Sequence, residues 1–535
     1  MSIQRFGVMI DCSRNGVMKP TELMRFIDII AKMGYNCLEL YTEDTYEVEN
    51  EPYFGYLRGR YTDEEIRSVD KYAIEHGVEL IPAIQTLAHY PALQKNYTMA
   101  SLFDINDILL CDNEKTYELL DNCFASLAKK FTSRNVNIGM DEAHLLGLGK
   151  YLDIHGYTER YDILMRHLSR VNEIAGKYGF KPHMWSDMFF RPINDGKYVG
   201  KNLHLPKEVC ERIPENVGLV YWDYYSRDKE IYEDMLTAHT ETGRETWFAG
   251  GVWGWYGFAP YNRFTLQPLK PAMETVRERN IQNVIITVWG DGGKECSYFS
   301  LLPALYAARQ FALGVTDMER VKKSFEELFG ISYDDFCLLD LPNDTGKENF
   351  NGTGWPENPS RCLFFQDPFQ GFYDWDYSHR DAYIPYGEYA ERLRSASSRA
   401  GEFAYIFRYL AELCSFLEIK ACLGIKTRDL YRANDLSGLK MLVGEYDEAS
   451  SRLESFYQVF YTVWHKENKS FGWEVQDIRL GGLERRLRTC KNTLTEYLDG
   501  KIDKIEELEE DILPTGKVDI LENRLSYIVT RSNLD

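Results

Sequence analysis

At 535 residues the chain is too long for one ordinary core, so two domains are expected. A formal net charge of −21 is the opposite of the clustered Lys and Arg that phosphate binding demands, which excludes nucleic acid as a partner. No run of about 18 apolar residues occurs, and "MSIQRFGVMIDCSRN" lacks the core of a signal peptide; no membrane partner and a cytoplasmic location are the expectation.

The 11 cysteines are scattered without C-x-x-C pairs, which suits reduced, mostly buried thiols. Aromatic content of 14% leaves two readings open, large cores or rings on which flat ligands stack.

The first three hundred residues carry a repeated rhythm of short β-branched or aromatic runs, each followed by an amphipathic stretch. The runs are "RFGVMID" (5–11), "NCLELYTE" (36–43), "VELIPAIQT" (78–86) and "VNIGMDE" (136–142), then "KPHMWSD" (181–187), "VGLVYWD" (217–223), "TWFAGGVW" (246–253) and "NVIITVWGD" (283–291). Between them, "KPTELMRFIDIIAKMG" reads as a helix, and Thr62, Glu65 and Gly77 give a second helix a capping-box start and a glycine stop. Eight strand–helix units without detectable hairpins predict an α/β fold, a (β/α)8 TIM barrel over residues 1–315. Residues 316–377 read as a loop-rich linker. A mainly α-helical C-terminal domain is expected over 378–535, with long helical stretches at 440–465 and 476–500. Those stretches suit an intramolecular core or a homodimer equally as a pattern. The run "KIDKIEELEEDILP" reads as a solvated helix face.

In such barrels reactive groups sit at the carboxyl ends of the strands. Those ends supply Asp11 and Arg14, Glu43 and Asp44, His89, and the adjacent pair Asp141 and Glu142. Later strands add Trp185 and Asp187, Trp222 and Asp223, Trp253 and Trp255, and finally Trp289 and Asp291. Carboxylates and indoles around one mouth suit a neutral polyhydroxylated ligand, its hydroxyls bonding the acids and its C–H faces stacking on the rings.

Two rivals are weaker. Asp-Glu-Ala-His is also a helicase box, but the companion phosphate loop is missing: "GLGKY" has Tyr where a hydroxyl must hold magnesium. Metal ligation by His89, Asp141, Glu142 and His144 lacks an H-x-x-x-H or H-E-x-x-H spacing. Adjacent acids on a strand also face opposite sides unless the strand has ended. No metal and no cofactor are expected.

"NIGMDEAH" resembles the strand-4 signature H-x-G-G-D-E of glycoside hydrolase family 20, the β-N-acetylhexosaminidases, with Asn137 and Met140 as departures. "IDCSRNG" is similar to its first-strand D-x-x-R and "YTED" to its T-D-D. "LAHYPAL" sits at its strand-3 histidine, and "MWSD", "VYWD" and "VWGD" resemble its tryptophan-bearing strand ends. The helical tail suits a branch with a C-terminal helical domain and no N-terminal accessory domain. Two departures stand out. "GGVWGWYGFAP" has no Y-x-D tyrosine for strand 7, leaving Tyr225, Trp253 or Tyr256 as substitutes, and strand 8 offers Trp289-Gly290-Asp291 in place of W-x-E.

The resemblance implies an exo-acting hydrolase of small glycans ending in β-linked N-acetylhexosamine, GlcNAc or GalNAc. The substrate's own 2-acetamido oxygen is the nucleophile, through an oxazolinium intermediate and with retention. Asp141 then holds the acetamido N–H, and Glu142 protonates the departing oxygen, a role that calls for a raised pKa in a partly dry cleft. Trp185, Trp222 and Trp289 wall the pocket, Arg14 bonds hydroxyls, and His89 paired with Asp44 tunes Glu142. A sugar-binding protein on a retired barrel and a related acetamido-sugar hydrolase are the alternatives.

Overall fold

The computed structural model describes residues 3–346, 356–379 and 383–514. Eight parallel strands close into a barrel: β1 (Arg5–Asp11), β2 (Cys37–Tyr41), β3 (Glu79–Ala83), β4 (Asn135–Asn137), β5 (Lys181–Trp185), β6 (Gly218–Trp222), β7 (Thr246–Gly251) and β8 (Asn283–Val288). Closure comes from β1 pairing with β8, from Arg5↔Asn283 through Ile10↔Val288. Each of the predicted runs forms its strand, because a strand covered on both faces needs a nearly continuous apolar stretch. The helix after β2, Asp63–Glu75, starts with the expected box: Thr62 accepts from the Glu65 N–H, and the Glu65 carboxylate accepts from the Thr62 N–H.

Three differences from the sequence reading have physical causes. The fourth strand is shorter than its apolar run and ends at Asn137, because the backbone turns left-handed at Gly139 and Met140 (both φ +69°). A small antiparallel hairpin, Phe103–Ile105 with Ile108–Leu109, stands in the loop after β3, so the barrel half is not free of hairpins. The charge-rich run beyond residue 500 is mostly exposed, as expected, but it is not one helix face. Only Glu506–Glu509 is helical, and Arg428 donates to the carbonyls of Glu507, Leu508 and Glu510 while Ile505 and Leu508 are buried.

The chain divides into two compact units. The first holds residues 1–252, 265–289 and 304–317; the second holds 253–264, 290–303 and 318–535. Helices Ala404–Arg432, Leu436–Glu467 and Trp473–Leu498 form the bulk of the second unit. The stretch read as a loop-rich linker also carries helices Met318–Phe329 and Pro359–Phe365, while residues 347–355 of it lie outside the described residues. Within this unit Arg361 is fully buried against Glu295, at 2.7 Å. No described helix is long and apolar enough to cross a membrane, and none of the cysteines forms a disulfide.

The barrel interior of the first unit is packed by Met9, Tyr41, Ile81, Trp185, Val220 and Trp247, with Trp222 and Trp289 lying partly exposed against that core. Beneath them a buried polar set, Glu39 with His183 (2.7 Å) and Asn137 (3.4 Å), satisfies the charge that the interior encloses.

Candidate active site

The two adjacent acids reach one side of the barrel mouth because the strand stops before them. Asn137 Oδ1 accepts the Gly139 N–H (3.0 Å), which starts the turn, and Glu142 itself is left-handed at φ +51°. Gln85, just past β3, braces that turn from outside. Its Oε1 accepts the Met140 N–H (3.2 Å), and its Nε2 donates to Asp141 Oδ1 (2.8 Å) and to the Tyr41 hydroxyl (3.0 Å).

Gly139 is required twice over, by its positive φ and by space: a Cβ there would lie 2.0 Å from Gln85 Oε1. Gly139→Ala is expected to cost about 1–3 kcal/mol and to lower turnover by displacing Gln85 from Asp141, measured by denaturant unfolding and steady-state rates. Full activity in that variant would show that the Gln85 brace is dispensable.

His89, also left-handed (φ +62°), brings its Nε2 to 3.1 Å from Asp141 Oδ2 and 3.9 Å from Glu142 Oε2. Burial alone would push the imidazole pKa down, but the Asp141 charge outweighs it and raises it to about 9. Burial would raise Asp141 in turn, yet His89 and the Gln85 hydrogen bond hold its carboxyl below the ordinary range. The pair is therefore charged at neutral pH.

Glu142 differs from its neighbour. Its side chain is 44% exposed against 13% for Asp141, and its second oxygen lies 3.6 Å from Arg191 Nη2. Instead of the partly dry cleft the sequence reading called for, this carboxylate lies open to solvent between two cationic side chains. Its backbone N–H donates to Asp187 Oδ2 (3.2 Å), which also accepts from Arg191 Nε (3.0 Å). Asp187 is fully buried, and burial together with the nearby Asp141 charge lifts its carboxyl to about 7.

On the opposite side Arg14 Nη1 lies 3.2 Å from both Asp11 Oδ2 and Glu43 Oε1, and its guanidinium stands over the Tyr41 and Trp289 rings at 5.3 and 5.4 Å. Glu43 is buried, with burial raising its carboxyl to about 7 against the pull of Arg14. The strand-2 acid turned to this cluster is thus Glu43. Asp44 points the other way and pairs with Arg58 (3.3 Å), so the expected His89–Asp44 pair does not form; a left-handed Glu43 (φ +46°) reverses which of two adjacent side chains faces inward.

Trp185 and Trp289 lie 6.1 Å apart, Tyr41 meets Trp289 edge-on at 4.9 Å, and Trp222 stacks on Tyr224 at 5.5 Å. The indole N–H groups of Trp185 and Trp222 are buried with no hydrogen-bond partner among the described residues. Tyr225 is 37% exposed, its backbone N–H bonded to Asp223. Its neighbour Tyr224 is the buried one, set against Thr287 and Trp289 and near enough to Asp141 to feel its charge. Trp253 is fully buried in the second unit against Trp255, Tyr256 and Phe264, which leaves no ring face open for a sugar. Asp291 also falls in the second unit. The carbonyl next to it, that of Gly292, accepts from Arg361 Nη2 (3.2 Å) and Arg479 Nη1 (2.6 Å).

Gln85, Arg191 and Tyr224 were not singled out from the sequence. Nothing in their spacing marks them, though Tyr224 sits two residues past Trp222 and Arg191 one helical turn past Asp187. His89, Asp141 and Glu142 are, among the described residues, the one group with ligand atoms all within 4.8 Å of one another, a spacing that fits a divalent ion. An ion there must displace the proton that Asp141 holds on His89, and a protonated imidazole has no lone pair to give.

The comparisons with known proteins follow the same division. The model of the glycosyl hydrolase family 20 catalytic domain matches residues 5–227, and that of the glycoside hydrolase 20C C-terminal domain matches 334–525. The chain is 24% identical over 346 residues to hexosaminidase D of Bos taurus, covering 58% of this chain and 92% of that protein. It is 24% identical over 342 residues to hexosaminidase D of Homo sapiens, covering 59% and 67%. A crystal structure of a GH20 exo-β-N-acetylglucosaminidase from Vibrio harveyi with N-acetylglucosamine overlaps at a TM-score of 0.47 and 17% identity, over 63% of this chain and 58% of that one. With one family model on the first six strands and the Asp-Glu turn, and a subgroup model on the helical region, the chain belongs to glycosyl hydrolase family 20 and is a glycoside hydrolase.

Proposed function

We propose that the protein is an exo-β-N-acetylhexosaminidase that releases terminal β-linked GlcNAc or GalNAc by substrate-assisted, retaining catalysis. One observation carries the reading: both acids lie on the same side of a single turn, with reactive atoms within 4.8 Å. Two-carboxylate glycosidases place their acids on opposite faces of the scissile bond, about 5–5.5 Å apart when retaining and about 6.5–9.5 Å when inverting. Acids from adjacent positions are poorly placed to flank a bond in that way, which supports a nucleophile carried by the substrate.

A 2-acetamido oxygen meets that need. Asp141, ionised and braced by Gln85 and His89, accepts the acetamido N–H and balances the positive charge that builds on the ring. Glu142, open to solvent, gives its proton to the leaving oxygen and takes one back from the water that opens the intermediate. Trp185, Trp222 and Trp289 wall the acetamido group and sugar face, with Tyr224 as the hydroxyl near Asp141 that takes over from the absent strand-7 tyrosine. Arg14 and Glu43 supply a donor and an acceptor to ring hydroxyls.

The test pairs aryl β-N-acetylglucosaminide with the matching aryl β-glucoside. Loss of the internal nucleophile is expected to lower kcat/KM by at least about 10³-fold. Equal hydrolysis of the two, or a glycosyl ester trapped on the enzyme, overturns the mechanism. Sugar binding without release favours the lectin-like alternative.

A further inference from the structure

Glu142 is held at its main chain and at its side chain by one ion pair, the fully buried Asp187 and the partly exposed Arg191. Asp187 and Arg191 are four residues apart, in a short helical turn after β5, and neither lies on the strand that carries the acids. Asp187 Oδ2 accepts the Glu142 backbone N–H at 3.2 Å, fixing the left-handed main chain at that residue. The same oxygen accepts Arg191 Nε at 3.0 Å, which aims the outer end of the guanidinium back at the Glu142 side chain, Nη2 to Oε1 at 3.6 Å. Arg191 is further steadied by Nη1 donating to the Gly196 carbonyl (3.2 Å) and by the Tyr198 ring 6.0 Å below it. The result is a closed loop: main chain, carboxylate, guanidinium, side chain.

From this geometry we infer that Asp187 and Arg191 are positioning residues for Glu142, setting where its carboxyl stands when the leaving group departs. The inference rests on the reading of Glu142 as the proton donor. At 3.6 Å the guanidinium is an ion-pair neighbour and not a hydrogen-bonded clamp, so it orients the carboxyl without occupying the oxygen that must carry the proton. As the proton leaves, negative charge builds on Glu142 beside a fixed cation, which stabilises the transition state more than the resting state. Asp187 holds the cation in place through a buried carboxylate whose other oxygen, Oδ1, has no hydrogen-bond partner among the described residues. His89, 3.9 Å from the other Glu142 oxygen, faces the carboxyl from the far side but is tied to Asp141, whereas Arg191 is bound to Asp187 through Nε and keeps Nη2 turned to Glu142 at 3.6 Å.

The test measures kcat/KM for Arg191→Gln, Arg191→Lys and Glu142→Gln on two N-acetylglucosaminides, one with a dinitrophenol leaving group and one with an alkyl alcohol. Departure of dinitrophenolate needs no proton, whereas departure of the alkoxide does. Arg191→Gln is expected to lose about a hundredfold on the alkyl glycoside and at most a few-fold on the dinitrophenyl one, and to melt at a lower temperature because the buried Asp187 loses its ion-pair partner. Arg191→Lys keeps the charge but cannot span from Asp187 to Glu142 with one planar fork, and is expected to fall between wild type and Arg191→Gln. Equal losses on both substrates, or no loss, in Arg191→Gln overturn the inference. If that variant fails to fold, the same comparison on Arg191→Lys decides. A Glu142→Gln variant that shows no leaving-group dependence overturns the proton-donor reading itself. Leaving-group dependence in Glu142→Gln without it in Arg191→Gln removes only the positioning role.

Discussion

Asp141→Asn is expected to lose roughly 10²–10³-fold in kcat on activated and unactivated N-acetylglucosaminides alike. The carboxylate accepts from Gln85 Nε2 at 2.8 Å and stands 3.1 Å from His89 Nε2, so both of its oxygens meet donors. An amide in its place turns an N–H₂ group toward one of those donors and removes the charge that balances the forming oxazolinium. Because that charge is needed whatever the leaving group, the loss does not depend on it. A second readout is the His89 ring. Asp141 raises its pKa to about 9 against the opposing effect of burial, so in the variant the ring titration moves to lower pH, followed by NMR. The same shift sets a pH window for the wild type. A histidine whose folded pKa is raised contributes stability that is complete below its unfolded value, about 6.5, and is lost as pH rises through about 9. Unchanged turnover in Asp141→Asn would refute the assisted mechanism.

Glu142→Gln has the other large effect, of a different shape. Loss of a general acid is expected to lower rates on alkyl glycosides and oligosaccharides by roughly 10²–10⁴-fold, with a far smaller loss in glycosylation by activated aryl substrates. Stability should stay within about 0.5 kcal/mol of wild type, because the side chain is 44% exposed and its ion-pair contacts to His89 and Arg191 are long, at 3.9 and 3.6 Å. Parallel measurements on the two substrate classes, with a denaturation curve, separate this outcome from simple damage to the site. Identical losses on both classes would leave Glu142 without a proton-donating role.

These two residues were legible from the chain because the signal is local. An apolar run that stops at a glycine and is followed by two acids marks a strand end, and strand ends of a barrel face one mouth. The same logic placed Arg14, His89, Trp185, Trp222 and Trp289 at that mouth, where the fold brings them together. It failed wherever one left-handed residue decides which neighbour faces in. At Glu43 (φ +46°) the strand-2 acid meeting Arg14 is Glu43, and Asp44 turns away to Arg58. Periodicity assumes an extended backbone up to the last residue, and a positive φ cancels that assumption. Trp253 failed for a related reason. Spacing placed it at a strand end, but the strand stops at Gly251, and rings close by along the chain, Trp255, Tyr256 and Phe264, bury its indole.

The residues around the acids are a different case. Gln85, Arg191 and Tyr224 reach the acids only because β3, β5 and β6 stand near β4 in the closed sheet, and a glutamine or arginine after a strand has no pattern that announces it. By itself the amino-acid order determined the barrel, the helical C-terminal region and the Asp-Glu turn, since hydrophobic period, caps and glycine placement act over a few residues. Only the tertiary structure decided the protonation partners and the side each acid faces, because hydrogen bonds between separate loops depend on closure of the sheet and on backbone angles that no run of side chains encodes.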